Sequence, residues 1–284
     1  MSFRAEPASF VVHRIGVTVS MASTVRTIKL TLAYDGTDYS GWQYQPDRTT
    51  VQGVLEDAIR SVTQFETRVT ASGRTDAGVH AIGQVAGFKV ATRLDDRVLC
   101  RALNSSLPFD IRILDLATVR DSFHPIRDAT SKRYRYVLQA GGLPDVFTRR
   151  YCWFTPKPLD FDAMEAAAKR LVGKMDFASM QTTGAPRVST VRTVREISMQ
   201  RQRQSLSDQI VFEVEADGFL YNMVRNIVGT LTVVGQGRAL PEWIDEVIAA
   251  RCRTAAGPTA PAQGLFLLNV SYNQTDDKSE NETV

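Results

Sequence analysis

The segment Ala71-Ser72-Gly73-Arg74-Thr75-Asp76-Ala77-Gly78-Val79-His80-Ala81 sets an Arg-Thr-Asp triplet between two glycines. Glycine lets a backbone approach a ligand closely, so such a loop brings its carboxylate within reach of a bound molecule. Asp76 is the carboxylate of this chain best suited to chemistry, with Arg74 two residues away. An aspartate among turn residues can also do no more than organise its own loop. Gly73 and Gly78 have the spacing of a phosphate loop, but no Lys-Ser or Lys-Thr follows Gly78, which removes nucleotide triphosphatases. A hydrolase built on Asp76 would need a second carboxylate to converge from elsewhere in the chain, since none lies nearby in sequence.

Two further groups complement that loop. In Lys132-Arg133-Tyr134-Arg135-Tyr136 aromatic and cationic residues alternate, and a strand sends alternate side chains to opposite faces. One face could stack a base while the other holds phosphate; equally, the tyrosines could pack a core. Asn222, Arg225, Asn226 and Gly229 fall on one stripe of a helix by their spacing. An arginine there could reach a carboxylate across a cleft, or the stripe could be a solvated edge.

The elements that must carry these residues are legible from periodicity. Thr27 to Tyr34 alternates as a strand and stops at the turn pair Asp35-Gly36. Val51 to Val62 has helical spacing, with Thr50 as N-cap. Strands follow at Arg68 to Ala71 and Gln84 to Val90, then a helix at Asp96 to Leu103 and a strand at Ile111 to Leu116. This is a β-α-β-β-α-β order, as in ferredoxin-like and RNA-recognition folds. A second series repeats the theme: a strand at Arg133 to Gln139, a helix capped by Asp160 and ending at Gly173, and strands at Thr193 to Gln200 and Gln209 to Ala216. A buried helix at Leu220 to Val234, a short helix opened by Pro241 and a strand at Leu265 to Tyr272 complete it. The expectation is an α/β (α+β) chain of two such halves, residues 25–120 and 121–273, whose sheets join across the middle. Residues 1–24 read as a disordered extension, with Met21 as an alternative start and a transit peptide as the other reading. Residues 274–284 read as an acidic disordered tail.

Composition bounds the function classes. The chain has 284 residues, 43% of them hydrophobic and 23% charged, which is ordinary for a globular protein. No apolar run approaches the ~20 residues of a membrane-spanning helix. Cys100, Cys152 and Cys252 are widely spaced, with no CxxC pair, and the three histidines are scattered. Disulfide frameworks and cysteine or histidine metal sites are therefore disfavoured, and the cysteine usage suits a reducing cytoplasm. The net charge of +3 is uneven: residues 120 to 203 hold sixteen Lys and Arg against eight Asp and Glu. Such an arginine-rich stretch with interleaved tyrosines suits RNA phosphate and base contacts, or is a solvated face.

Several motifs in order are more specific than any one alone. Gly73-Arg74-Thr75-Asp76-Ala77-Gly78-Val79-His80 resembles the catalytic loop of the tRNA pseudouridine synthase A (TruA) family. Ala33 to Gln43 resembles that family's opening strand and turn, and Val51-Gln52 with Leu55-Glu56 its first helix. Phe123-His124, Tyr134-Arg135-Tyr136, Asp176-Phe177, Met223 to Gly229 and Gln263-Gly264-Leu265 continue the likeness, which spans Arg26 to Tyr272. One departure is Ala178-Ser179-Met180, where an aromatic is commoner at the last position.

The resemblance implies a pseudouridine synthase fold with a mainly antiparallel central sheet. It also implies an isomerase that converts uridine to pseudouridine in the anticodon stem-loop of tRNA, at positions 38, 39 and 40. It implies no metal and no organic cofactor, tRNA as the partner, no membrane, and a homodimer. Asp76 is then the essential carboxylate, acting as a nucleophile at the sugar, as a stabiliser of an oxocarbenium-like centre, or as a base at C2′. Arg74 would fill the space of a flipped base and hold phosphate, and Tyr134 would stack on the uracil and assist the late loss of the C5 proton. Arg225 would pair with Asp76, and Leu265 would wall the pocket. The other readings are a synthase of the same fold acting on another RNA uridine, and a noncatalytic RNA-binding protein.

Overall fold

The computed structural model describes residues 24–182, 189–203 and 208–273. Residues 1–23 of the expected N-terminal extension, and the acidic tail, lie outside the described residues. Strand β1 (Val25–Tyr34) is followed by α1 (Val51–Thr63), β2 (Thr70–Ala71), β3 (His80–Ala91), α2 (Asp96–Ser106) and β4 (Ile111–Val119). Then come β5 (Ala129–Ala140), β6 (Trp153–Thr155), α3 (Phe161–Lys169), β7 (Gly173–Asp176), β8 (Val191–Arg203) and β9 (Asp208–Ala216). Helices α4 (Met223–Gly235) and α5 (Trp243–Ala250) precede the last strand, β10 (Leu265–Tyr272).

The strands form one sheet in the order β4-β1-β3-β10-β5-β9-β8-β7, with β2 beside β3 and β6 beside β5. The pairings are antiparallel except two, β10 on β3 and β6 on β5. Both α/β series therefore share a mainly antiparallel sheet, as the sequence led one to expect. The seam is made by β10. It runs parallel to β3 through Phe266↔His80 and Leu267↔Ala81, and antiparallel to β5 through Leu265↔Tyr136 and Leu267↔Tyr134. The start of β3, the start of β10 and the middle of β5 thus meet at one place.

The helices start where side chains can satisfy free backbone N–H groups. Thr50 accepts from Gly53 N at 3.2 Å, Asp95 from Val98 N at 2.7 Å and Asp160 from Ala163 N at 3.0 Å. Helix α1 buries Val51, Leu55, Ala58 and Ile59, the stripe its spacing predicts. Helix α4 is different, being buried nearly all round. Its polar residues are accordingly hydrogen-bonded. Asn226 Nδ2 donates to Met180 O at 2.8 Å, and Asn226 Oδ1 accepts from Thr259 Oγ1 at 2.7 Å. Thr230 Oγ1 donates to Asn226 O at 2.7 Å and accepts from Gly257 N at 3.0 Å. The solvated-edge reading of the Asn222 stripe is therefore wrong for Asn226 and Gly229. Met180, the departure from the family pattern, is fully buried beside this network.

Several boundaries differ from the sequence reading. Helix α3 stops at Lys169, where i→i+3 hydrogen bonds from the Arg170, Leu171 and Val172 N–H groups replace the α-helical ones, and Gly173, at φ +121°, opens β7 rather than capping the helix. Helix α4 begins at Met223, since Asn222 adopts φ +59° and breaks the helical run from Leu220. Strands β6 and β7 have three and four residues, too few for alternation to register.

Gly229 shows how tightly α4 is threaded. A Cβ there would lie 1.7 Å from Pro258 O and 2.8 Å from Pro258 C, both backbone atoms. In an exposed helix Gly→Ala stabilises by ~1 kcal/mol. Here the collision wins, and Gly229→Ala is expected to destabilise by about 2 kcal/mol or more. Urea unfolding checks this: the midpoint falls if the crossing is as close as described, and rises if the helix has room.

Candidate active site

The loop from Ser72 to Val79 leads directly into β3 and is held from several sides. Ser72 N donates to Val85 O at 2.8 Å, and Trp42 N donates to Thr75 O at 2.9 Å. Gln84, fully buried on β3, donates to Gly73 O at 2.7 Å and accepts from Ser72 Oγ at 2.9 Å. Tyr34, at the end of β1, shares a 2.8 Å hydrogen bond with Thr75 Oγ1. Two glycines let the β1–α1 connection lie against this loop. A Cβ on Gly36 would sit 2.0 Å from Val79 O, and one on Gly41, at φ +88°, would sit 2.8 Å from Thr75 O. The opening-strand motif and the Asp76 loop are thus two sides of one contact.

Asp76 projects from the loop toward α4. Its Oδ2 lies 3.2 Å from Arg225 Nη1, with the two side chains 33% and 18% exposed respectively, so the pair is neither free in water nor sealed. Arg225 is aimed by its neighbours: Nε donates to Ala260 O at 2.7 Å, and Nη1 donates to Asn222 Oδ1 at 2.9 Å, the i, i+3 partner its spacing suggests. Burial raises the Asp76 pKa above the ordinary aspartate value, and the Arg225 charge and hydrogen bond pull against that rise. The charged form of Asp76 is therefore less comfortable here than in water, and Arg225 is the group that offsets part of that cost.

A cleft of about 1260 Å³ opens beside this pair. It is lined by Arg74, Asp76, Tyr134, Arg225 and Leu265, so all five site residues named from sequence converge on one space. Arg74 is exposed at the cleft, and among the described residues nothing pairs with its guanidinium. Tyr134 is buried and packs edge-on against Phe219, ring centroids 4.9 Å apart. Burial is the main cause that pushes its phenol pKa up, with Tyr34 and Asp76 adding to it. Leu265, at the first position of β10, is a buried part of the wall.

The sequence matches the family described as tRNA pseudouridine synthase over residues 31–126 and 167–273. A relative named tRNA pseudouridine synthase A from Thermoanaerobacter sp. (strain X514) is 42% identical over 248 residues, 87% of this chain and 100% of that protein. Another of that name, from Moorella thermoacetica, is 47% identical over 250 residues, 86% of this chain and 99% of that protein. This chain belongs to the tRNA pseudouridine synthase family. Among solved structures, an H/ACA ribonucleoprotein bound to a substrate RNA containing 2'-deoxyuridine aligns with a TM-score of 0.35 and 11% identity, covering 72% of this chain and 44% of that one. As a pseudouridine synthase the chain is an isomerase.

The arginine strand departs from its expected use in this synthase. Arg133 and Arg135 do leave the sheet opposite Tyr134 and Tyr136, but they are not free for phosphate. Arg133 Nη2 donates to Glu196 at 2.5 Å and to Glu215 at 2.8 Å, and Arg135 Nη2 donates to Glu213 at 2.7 Å. Glu213 and Glu215 lie on β9, beyond the arginine-rich residues 120 to 203. That stretch's excess of positive charge is therefore partly cancelled by a neighbouring strand. Lys132, Phe219 and Tyr221 also line the cleft, and sequence reasoning did not assign them. Strand alternation could have placed Lys132 on the Tyr134 face, two residues away.

His80, the last residue of the loop motif, is structural. Its Nδ1 accepts from Gly36 N at 3.1 Å, and its Nε2 faces Arg150 O at 3.1 Å and Gln263 O at 3.2 Å. Burial is the first cause that lowers its pKa, and because Nδ1 accepts from the Gly36 N–H the ring proton is assigned to Nε2. Asp35, 3.1 Å from Nδ1, is held by Thr37 and Tyr151 rather than by an imidazolium. Among the described residues no group of three or more His, Cys, Asp or Glu could hold a metal ion.

The Asp76–Arg225 pair makes a signed pH prediction. A raised carboxylate pKa means that ionising Asp76 works against folding, so its contribution is favourable at low pH and lost as pH rises through the folded pKa. Asp76→Asn is expected to raise Tm at pH 7, with the gain vanishing once Asp76 is protonated in acid. Arg225→Gln removes the opposing charge and should move the acid limb of kcat to higher pH. A limb that stays in place in Arg225→Gln would mean that Arg225 does not set the Asp76 ionisation.

Proposed function

We propose that this chain isomerises uridine to pseudouridine in the anticodon stem-loop of tRNA, at positions 38, 39 and 40, with Asp76 as its essential carboxylate. The observation that carries this is the Asp76 carboxyl 3.2 Å from Arg225 at the edge of a cleft large enough for a nucleotide. A stem uridine reaches such a carboxylate only when flipped out of its stack, at a cost of a few kcal/mol. Arg74, exposed at the cleft, is suited to hold phosphate where the base has left. Tyr134 supplies the wall on which the uracil stacks, and Leu265 closes the apolar side.

The reaction conserves atoms. The C1′–N1 bond breaks, the uracil turns, C5 bonds to C1′, N1 gains a proton and the C5 proton passes to water. Attack at C1′, stabilisation of an oxocarbenium-like centre and removal of the C2′ proton all require Asp76 ionised, which Arg225 favours. A phenol whose pKa is pushed up is a poor base at neutral pH unless it relays its own proton. Tyr134 therefore serves first as a stacking surface in this proposal, and any part in C5 deprotonation is as a relay. The half at residues 25–120 brings the catalytic loop and the half at 121–273 brings Tyr134, Arg225 and Leu265. No cofactor enters the scheme, and the site of action is cytoplasmic tRNA. Among the described residues no helix is long and apolar enough to cross a membrane.

Incubation with tRNA carrying C5-tritiated uridine tests the activity, because forming pseudouridine releases the label to water. Wild-type protein should release label from anticodon stem-loop uridines. Asp76→Ala should bind tRNA normally and release none beyond a trace, since a loop carboxylate contributes little packing. Release by the mutant would overturn the role of Asp76; release mapped to other uridines would move the substrate elsewhere, and binding without release by wild type would leave a noncatalytic RNA-binding protein.

The working unit in this proposal is a homodimer that fixes one tRNA at two places. Mixing Asp76→Ala chains with chains reversed in charge at Arg149 and Arg150 should restore activity in heterodimers. A monomeric mass for active protein removes the dimer.

A further inference from the structure

The two peptide carbonyls that lead into the Arg74-Thr75-Asp76 triplet are gripped from opposite sides. Gly73 O accepts from Gln84 on β3, which belongs to the same half of the chain as the loop. Ser72 O accepts at 2.5 Å from Lys132 Nζ, which reaches across from β5. Lys132 pairs with Val270 on β10 and with Ala216 on β9, so its backbone is locked into the seam of the sheet. Its ammonium lies so close to the loop that a Cβ on Gly73 would stand 3.1 Å from Nζ. Both residues line the same cleft as Asp76.

We propose that Lys132 is a positioning residue: by holding the Ser72 carbonyl it docks the catalytic loop onto the C-terminal part of the sheet, so that Asp76 meets Arg225. The need for such a tie follows from the topology. Asp76 is carried by the loop before β3 and Arg225 by α4, 149 residues later, and their carboxylate–guanidinium contact is a single 3.2 Å approach. An error of an ångström in the loop would break it, and a misplacement of that size can cost a hundredfold in rate. Gln84 fixes the loop only relative to its own half. Lys132 is the group that fixes Ser72 relative to β5, the strand that also carries Tyr134. A charged donor on a neutral carbonyl makes a stronger hydrogen bond than a neutral one, and the strand fixes where its stem begins.

A lysine lining an RNA-binding cleft has an obvious other use, as a ligand for phosphate. The two roles give different kinetics. A phosphate ligand contributes to binding and to counterion release, so its loss weakens affinity and flattens the dependence of log Kd on log salt by roughly one unit per contact. A positioning residue leaves both nearly unchanged and lowers kcat.

The test uses the tritium-release assay together with tRNA binding across a salt series, on the full-length protein. It rests on the activity proposed above, and an inactive wild type would count against that activity rather than against Lys132. With active wild type, Lys132→Met is expected to lower kcat at least tenfold while KM and Kd change less than about threefold and the salt slope holds. Lys132→Arg keeps a charged donor on a long stem, so it should recover most of kcat. If Lys132→Met does not fold, Lys132→Gln carries the same comparison, with the charge and the reach removed. A kcat within twofold of wild type in the folded neutral variant overturns the proposal. So does intact kcat with weaker binding and a shallower salt slope, which would make Lys132 a phosphate ligand.

Discussion

The ion pair between Asp76 and Arg225 is the contact to which the rest of the molecule is subordinate. A carboxylate that is partly removed from water becomes reactive only if it stays ionised, and burial alone would favour its protonated form. Arg225 opposes that tendency through charge and a hydrogen bond. Arg225 is itself oriented by Asn222 and by the Ala260 carbonyl, so it cannot turn to follow a wandering partner. Both members of the pair have to be brought to one place by structure rather than by mutual attraction.

That requirement accounts for the density of contacts around the loop and helix. Tyr34, Gln84 and the Trp42 N–H hold the loop from the first half, and Gly36 and Gly41 leave space for its backbone to settle against the β1–α1 connection. Helix α4 is fixed by burial on nearly every face, and its internal polar groups are satisfied by Met180, Gly257 and Thr259. Strand β10 then joins the two assemblies by pairing with β3 on one edge and β5 on the other. The Asp76–Arg225 pair sits where these constraints intersect. Some stability is given up there, since ionising Asp76 is less favourable in the fold than in water.

Charge on the sheet's other face shows how a window of sequence can mislead. Residues 120 to 203 carry an excess of Lys and Arg, which reads as a field for RNA. Arg133 and Arg135 instead meet Glu196, Glu213 and Glu215 across neighbouring strands. Cross-strand opposite charges stabilise a sheet pair modestly and neutralise one another. Arg74, which lines the same cleft as Asp76 and Arg225, is exposed there. Electrostatic function therefore resides in which cations remain unpaired, a property of the assembled surface and not of composition.

Much of this architecture was legible in the order of residues alone. Alternation and helical spacing located β1, α1, β4, α2 and β10 within a few residues, because the burial of one face is a local property written at a fixed period. The glycine-bracketed Arg74-Thr75-Asp76 and the Asn222–Arg225 spacing marked groups capable of chemistry, and the ordered motifs pointed to the family. Short strands such as β6 and β7 left no periodic trace, and Gly173 resembled a helix cap although it begins a strand. Adjacency between distant residues had to wait for the assembled sheet. That Asp76 meets Arg225, that Lys132 reaches Ser72, and that Glu213 and Glu215 consume the arginines of β5 all follow from which strands lie side by side. Periodicity records that a face is buried and is silent about what buries it. The partner is chosen when a sheet closes over distant parts of the chain, here by a last strand that inserts between two earlier ones.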